Sequence, residues 1–241
     1  MNTKMFKSFL FEAQNSFFRV LLRLRFPIKR KSKVSFLGNE YSGYWFPDCL
    51  INRRGTIWGV GLGKDSSFEL ILTQKGYKFF GFEPEKSCFK ESLRQFANTD
   101  AVLYQYGLWD KTGEFKYSGE NISIVNISNS DKLSVEEIEI KSLWEVAKDL
   151  KLDSLANPRI LKMNIEGAER EILFKLTKYP LNFDVIIFQA EFLFHIGFIH
   201  FQKKIKAFFE LNLILSKLLS AKWELVYFSR HQIILSRIEL K

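Results

Sequence analysis

Ile57-Trp58-Gly59-Val60-Gly61-Leu62-Gly63-Lys64-Asp65, followed sixteen residues later by Gly81-Phe82-Glu83-Pro84, decides the fold of this chain. An apolar run ends in a glycine-rich turn, a helical stretch follows, and a second apolar run ends in an acid. Small residues let the backbone turn sharply and approach a ligand without a Cβ in the way. That order is how a parallel α/β sheet builds an edge for a nucleoside-containing cofactor. About 100 residues further on, Ile160-Leu161-Lys162-Met163-Asn164-Ile165-Glu166-Gly167-Ala168-Glu169 has a related form. There an apolar strand closes in polar residues, and a Gly opens the next helix.

Working outward from these two segments, strand and helix signals alternate after residue 50, the pattern of a parallel sheet with helices on both faces. Strands are expected at Thr56–Val60, Lys78–Phe82, Ala101–Tyr106, Ile160–Asn164 and Asp184–Gln189. Helices are expected at Ser66–Lys75, Lys86–Phe96, Ala168–Thr177 and Phe201–Leu219, and at Ser142–Leu150 with Ser142 as its N-cap. Asp184–Gln189 is almost continuously apolar, as a strand buried on both faces should be. Glu224–Phe228 and Gln232–Ser236, three residues apart, read as a closing antiparallel hairpin. Glu114–Tyr117 and Ile122–Asn126 alternate and suggest a small hairpin of their own, with Glu137–Ile140 a further short strand. The expected fold is α/β: a doubly wound, mostly parallel seven-stranded sheet with an antiparallel C-terminal strand.

At 241 residues the chain can bury one full α/β core, and 46% hydrophobic residues with 25 Phe exclude global disorder. The two cysteines, Cys49 and Cys88, form no CxxC or Cys/His cluster, so no structural zinc, other metal centre or disulfide framework is expected. A reducing cytoplasm fits. The net charge of +9 is unevenly placed: residues 1–33 hold nine Lys/Arg and one acid, while the other 208 hold 27 bases and 26 acids. A nearly neutral body lacks the electrostatic footprint of a nucleic-acid binder, so nucleic acid is disfavoured as a partner.

The domain reading follows the charge: residues 1–37 form a basic arm and 38–241 the catalytic domain. In the arm, Phe6, Leu10, Ala13, Phe17, Leu21 and Leu24 recur at helical spacing, with Lys4, Asn15, Arg19 and Arg23 toward the other side. Pro27 should end the helix at Phe26, and Lys29-Arg30-Lys31-Ser32-Lys33 follows. Three readings stand. Residues 4–33 can lie on an anionic membrane surface, placing the protein at the inner face of the membrane. The helix can pack on the domain or a second subunit, or it can serve targeting. Charges interrupt every apolar run, so neither a secretory signal nor a transmembrane helix is expected. The oligomeric state is not encoded in any motif.

The chemistry is carried by the glycine turn. Gly59, Gly61 and Gly63 give GxGxGxD, with Lys64 where a dinucleotide fingerprint has its third Gly and Asp65 next to it. An Asp there repels a pyrophosphate and suits a cofactor bearing an amino group and a sulfonium. That favours S-adenosylmethionine over NAD. Glu83 lies 22 residues after Gly61, where an acid can accept both ribose hydroxyls, and Pro84 fixes the turn behind it.

Gly61-x-Gly63-x-Asp65-x-Ser67-Phe68-Glu69, Gly81-Phe82-Glu83-Pro84, Gly107-Leu108-Trp109 and Leu161 through Glu169 resemble, in this order, the FkbM family of methyltransferases. Asn39-Glu40-Tyr41-Ser42-Gly43-Tyr44-Trp45 is similar to that family's opening segment, and Gln189-Ala190-Glu191-Phe192 with His195 to the stretch after its fifth strand. The resemblance covers roughly residues 38–236. It implies a Rossmann-like class I methyltransferase fold and methyl transfer from S-adenosylmethionine, usually to oxygen. The implied acceptors are hydroxyls of glycans, lipid-linked saccharides or related metabolites. The chain departs from the family at Asn164, where the usual residue is Asp. Asn keeps a carbonyl acceptor but cannot act as a base and is a poor Mg²⁺ ligand.

Cofactor contacts are therefore expected from Gly59, Gly61, Gly63, Asp65, Glu83, Pro84, Gly107 and Leu108, with Tyr41 and Trp45 stacking on a ring. A base must remove the hydroxyl proton, typically worth about 10²–10⁴-fold. Candidates at the carboxyl ends of the fourth and fifth strands are His195, Glu191 and Glu166, with Asn164 and Lys162 as neighbours; Glu169 is expected to face solvent or pair on its helix. Asn164 also motivates a different reading, a non-catalytic cofactor-binding scaffold. A nucleic-acid methyltransferase using the basic arm is the weaker rival.

Overall fold

The structure is a computed structural model that describes residues 3–28, 32–40, 42–118, 135–194, 196–197, 200–229 and 232–240. The chain opens with helix α1 (Thr3–Arg25), then a hairpin of β1 (Val34–Leu37) and β2 (Tyr44–Pro47), and a short α2 (Asp48–Ile51). The main α/β run is β3 (Thr56–Val60), α3 (Ser67–Gln74), β4 (Lys78–Phe82), α4 (Lys86–Gln95) and β5 (Val102–Tyr104). Next come β6 (Gly107–Trp109), β7 (Gly113–Ser118), β8 (Val135–Ser142) and α5 (Leu143–Asp149). The second half holds β9 (Arg159–Met163), α6 (Glu169–Leu176), β10 (Val185–Gln189), α7 (Glu191–Phe194), α8 (Phe201–Ser220), β11 (Glu224–Ser229) and β12 (Gln232–Ser236).

Seven strands form the central sheet in the order β5-β4-β3-β9-β10-β12-β11. The first five run parallel, and β12 is antiparallel to both β10 and β11. This is the expected doubly wound α/β sheet, closed by an antiparallel hairpin. The order reverses beside β3, so the carboxyl ends of β3 and β9 flank a crevice, the place where such sheets take ligands.

Strand alternation explains the two cores. Trp58, Val60, Leu161, Met163, Ile186 and Phe188 face one side, under α5, α6, α8 and α1. Ile57, Phe79, Ile160, Val185, Ile187 and Ile234 face the other, under α3 and the β1–β2 hairpin. Continuous apolar strands are the consequence of burial on both faces.

Four expectations need correction. Glu114–Tyr117 pairs with β8, Glu114 opposite Glu139, because β8 supplies a full alternating partner; Ile122–Asn126 lies outside the described residues. Ser142 stands at the N-cap of α5 but its side chain makes no cap bond; instead its N–H donates to Thr112 Oγ1 at 2.9 Å. Glu169 is fully buried rather than facing solvent. The arm helix also turns a different face inward. Asn15, Phe18, Leu22 and Phe26 are buried against the domain, while Phe17 and Leu24 are exposed. The cause is a second apolar stripe, offset from the one read first, that meets Phe201 and Phe208 on α8. Asn15 Nδ2 then satisfies the Phe194 carbonyl at 3.2 Å.

Candidate functional site

At the end of β3, Gly61 and Gly63 have φ of +75° and +63°, the left-handed region that glycine enters without a steric penalty. Gly61 is required twice over, because a Cβ there would collide with the Asn164 carbonyl. At Gly63 a Cβ would meet nothing within 4 Å, so the turn has open space beside it. Glu83, buried at the end of β4, holds the turn in place. Its Oε2 accepts from the N–H groups of Leu62 at 2.8 Å and Gly63 at 2.9 Å, and its Oε1 from Glu85 N–H at 2.9 Å. Burial raises the Glu83 carboxyl above its ordinary value, and these three donors pull it back. Oε1 retains acceptor capacity for a ligand.

Gly61, Gly63, Glu83, Pro84, Gly107, Leu108, Asn164 and Glu166 line one cleft of about 120 Å³, together with Ile138 and Ile140 of β8. Larger hollows of about 270 and 370 Å³ lie on α6/α8 and on α1/α8, but neither contains any of these residues. Among the described residues that line the cleft are three carboxylates, Glu83, Glu85 and Glu166, and no Lys, Arg or His. Burial pushes the Cys88 thiol beside it up to about 12, so it is no thiolate nucleophile at neutral pH. The Asn164 Oδ1 is buried without a hydrogen-bond partner at the cleft wall. Glu166 is held at φ +53°, a left-handed conformation uncommon for a residue with a side chain and typical of functional turns.

Beneath the Asn164–Glu169 turn the charges are packed together. Glu169 accepts from the N–H of Ile165 at 2.7 Å and of Gly167 at 2.8 Å, which fixes the turn and hence the position of Glu166. Burial raises Glu169 to about 7 despite these donors. The Glu191 carboxyl, at the start of α7, is pushed up to about 9 by burial, by the charges of Glu166 and Glu169, and by its hydrogen bond to Glu166. At neutral pH Glu191 is therefore held toward its protonated form. Lys162 Nζ pairs with Glu69 Oε1 at 2.8 Å, both almost fully buried, donates to the Gly61 carbonyl at 3.3 Å and lies 4.8 Å from the Tyr44 ring centroid. It is a brace between β9, α3 and the glycine turn, not a reacting group. The Tyr44 hydroxyl is buried with no partner, and burial followed by the surrounding carboxylates raises its pKa well above the ordinary value.

The structure thus gathers Gly61, Gly63, Glu83, Pro84, Gly107, Leu108, Asn164 and Glu166 in one cleft, with Glu191 and Lys162 behind it. Three expected cofactor residues stand apart. Gly59 is a packing position, where a Cβ would press on Phe79 and Leu62. Asp65 is occupied by the Asn39 side-chain amide and, at 2.9 Å, by Ser67 N–H, because it serves the start of α3. Trp45 packs on Phe36 and Tyr227, at 5.6 and 5.7 Å, and Gln232 pins its backbone. Tyr41 and His195 lie outside the described residues. The sequence reading did not place Glu69, Glu169, Ile138 and Ile140 at the site. Lys162 in an apolar strand was the available signal for Glu69, since a buried charge demands a partner.

No family model matches the chain, and no curated protein matches it. Among solved structures, it is similar to an O-methyltransferase from Bacillus cereus in complex with SAH (8% identity, TM-score 0.41, 94% of this chain and 81% of that one). It is also similar to the Methanococcus jannaschii fibrillarin pre-rRNA processing protein (12%, 0.41, 90% and 88%). A third is an rRNA methylase from Streptococcus thermophilus (7%, 0.39, 79% and 90%). At these identities and TM-scores the likeness says nothing of this chain's donor or acceptor.

Proposed function

We propose that this chain is a methyltransferase that uses S-adenosylmethionine and methylates a hydroxyl of a glycan, lipid-linked saccharide or related metabolite. The observation that carries the reading is the cleft at the sheet's reversal point: a glycine turn with positive φ beside three carboxylates and, among the described residues, no cation. That field repels a pyrophosphate and attracts a cofactor bearing a sulfonium and an amino group. The residues fit such a molecule. Glu83 Oε1 has acceptor capacity for ribose hydroxyls, Leu108, Ile138 and Ile140 form apolar walls for a base, and Gly63 leaves its side of the turn open. The orphaned Asn164 Oδ1 is an acceptor for a donor group of the ligand.

S-adenosylmethionine, when bound, supplies a methyl group on a positively charged sulfur, so that alignment of the acceptor provides most of the acceleration. Glu166 takes the acceptor hydroxyl proton. It lines the cleft, and its strained turn is over-determined by Glu169 beneath it. Glu191 keeps its own proton at neutral pH and positions Glu166 through their hydrogen bond. His195, from sequence alone, remains a second candidate base. The preference for a saccharide acceptor rests on the resemblance to the FkbM family.

Calorimetric titration with S-adenosylmethionine and separately with NAD tests the donor. Micromolar binding of the first alone is expected; binding of NAD alone would overturn the reading. The Asn164 departure supports one second reading, a cofactor-binding scaffold. It predicts cofactor binding with no S-adenosylhomocysteine release across a panel of saccharide acceptors, whereas the enzyme releases it with at least one.

A further inference from the structure

We propose that the outward face of α1, together with the adjoining surface of α8, is a docking surface for an anionic lipid bilayer. The helix carries two apolar stripes, and the domain takes only one. Phe18, Leu22 and Phe26 are buried in the main core, while Phe9, Phe17, Val20 and Leu24 stand 54% to 76% exposed. Their spacings of eight, three and four residues place them on one side of the helix. Phe18 packs on Phe201 and Phe208, so α8 lies alongside, and it adds Phe209 at 66% exposure. Of the twelve exposed large apolar side chains among the described residues, seven stand on these two helices. So strong a concentration marks an interaction surface rather than scattered exposure.

Charge decides the occupant. Residues 1–33 hold nine Lys/Arg and one acid. That acid, Glu12, pairs with Arg19 at 3.4 Å. Arg25, Lys203 and Lys206 are exposed on the same two helices. A second copy of the chain would bring an equally basic surface against this one, and the two would repel. An anionic bilayer offers both what the Phe residues and what the Lys/Arg residues require. Among the described residues no helix is long and apolar enough to cross a membrane, so α1 lies in the interface plane. The same helix bonds the Phe194 carbonyl through Asn15, at the end of α7 that begins with Glu191.

The test is flotation of the full chain with vesicles of equal parts phosphatidylglycerol and phosphatidylcholine, and with phosphatidylcholine alone. The parent should float with the anionic vesicles, and less so as salt is raised. A Phe9→Ser/Phe17→Ser/Leu24→Ser variant touches only exposed positions. It should keep the parent's melting temperature and lose at least about tenfold in apparent lipid affinity. Retained flotation of this variant, or no flotation of the parent, overturns the proposal. So does a lipid-independent parent dimer that the variant dissolves into monomers, which would assign the face to a second copy. The outcome is independent of the methyl donor and acceptor.

Discussion

Glu83 and Glu166 share one cleft, yet they should fail differently when changed. Glu83 accepts three backbone N–H groups. Glu83→Gln turns one of its oxygens into a donor facing them, and a hydrogen bond to a charged group is worth about 1.5–3 kcal/mol. S-adenosylmethionine affinity should drop at least about tenfold, measured by calorimetry. Glu166→Gln keeps the shape of the strained turn and should leave that affinity near the parent's. Turnover, measured as S-adenosylhomocysteine release, should fall by about 10²–10⁴-fold. The buried acids also set a pH response. Glu169 and Glu191 bind their protons more tightly folded than unfolded, rising from 4.5 to about 7 and about 9. Their contribution to stability is thus complete below pH 4.5 and is lost as pH climbs through those values. The urea midpoint should decline across that window, and Glu191→Gln should flatten the decline. A midpoint that rises with pH in the parent would contradict the burial of these groups.

Among the elements, α1 is the one whose role depends on its faces. The helical period of residues 6–24 was legible from the sequence, and so was the basic run after it. Which stripe meets the domain was not, because two stripes of similar apolarity run along the helix and only the shape and unsatisfied carbonyl of the receiving surface choose between them. Phe18→Ala should cost about 3–5 kcal/mol in chemical denaturation, the usual penalty for emptying a packed aromatic site. Leu24→Ala, at 76% exposure, should stay within about 0.5 kcal/mol of the parent. The glycine turn shows the opposite case. Gly61 and Gly63 were readable as ligand-side positions because small residues after an apolar strand let the backbone turn sharply, and glycine takes the positive φ found there without a steric penalty. Gly59 shares their spacing but sits inside β3, where packing against Phe79 explains it.

For the molecule as a whole, the helix that carries the proposed lipid surface is also part of the core. Phe18, Leu22 and Phe26 belong to the same buried cluster as Trp58 and Phe188. Removing residues 1–28 should therefore expose that cluster and yield a chain that aggregates or melts well below the parent, checked by thermal scanning and light scattering. A truncated protein that melts like the parent would show the helix to be dispensable to the fold.

From the sequence alone came the doubly wound sheet, the antiparallel closing hairpin, the glycine turn and the two acids Glu83 and Glu166. Each of these is written in local periodicity or in a fixed offset along the chain, which backbone geometry translates directly into position. Only the tertiary structure decided that Asp65 and Trp45 stand away from the cleft, that Lys162 is a brace paired with Glu69, and that Glu191 keeps a proton against Glu166. Those outcomes depend on groups distant in sequence sharing a buried space. Desolvation and pairing there are set by how the layers close over one another, and no single segment carries that information.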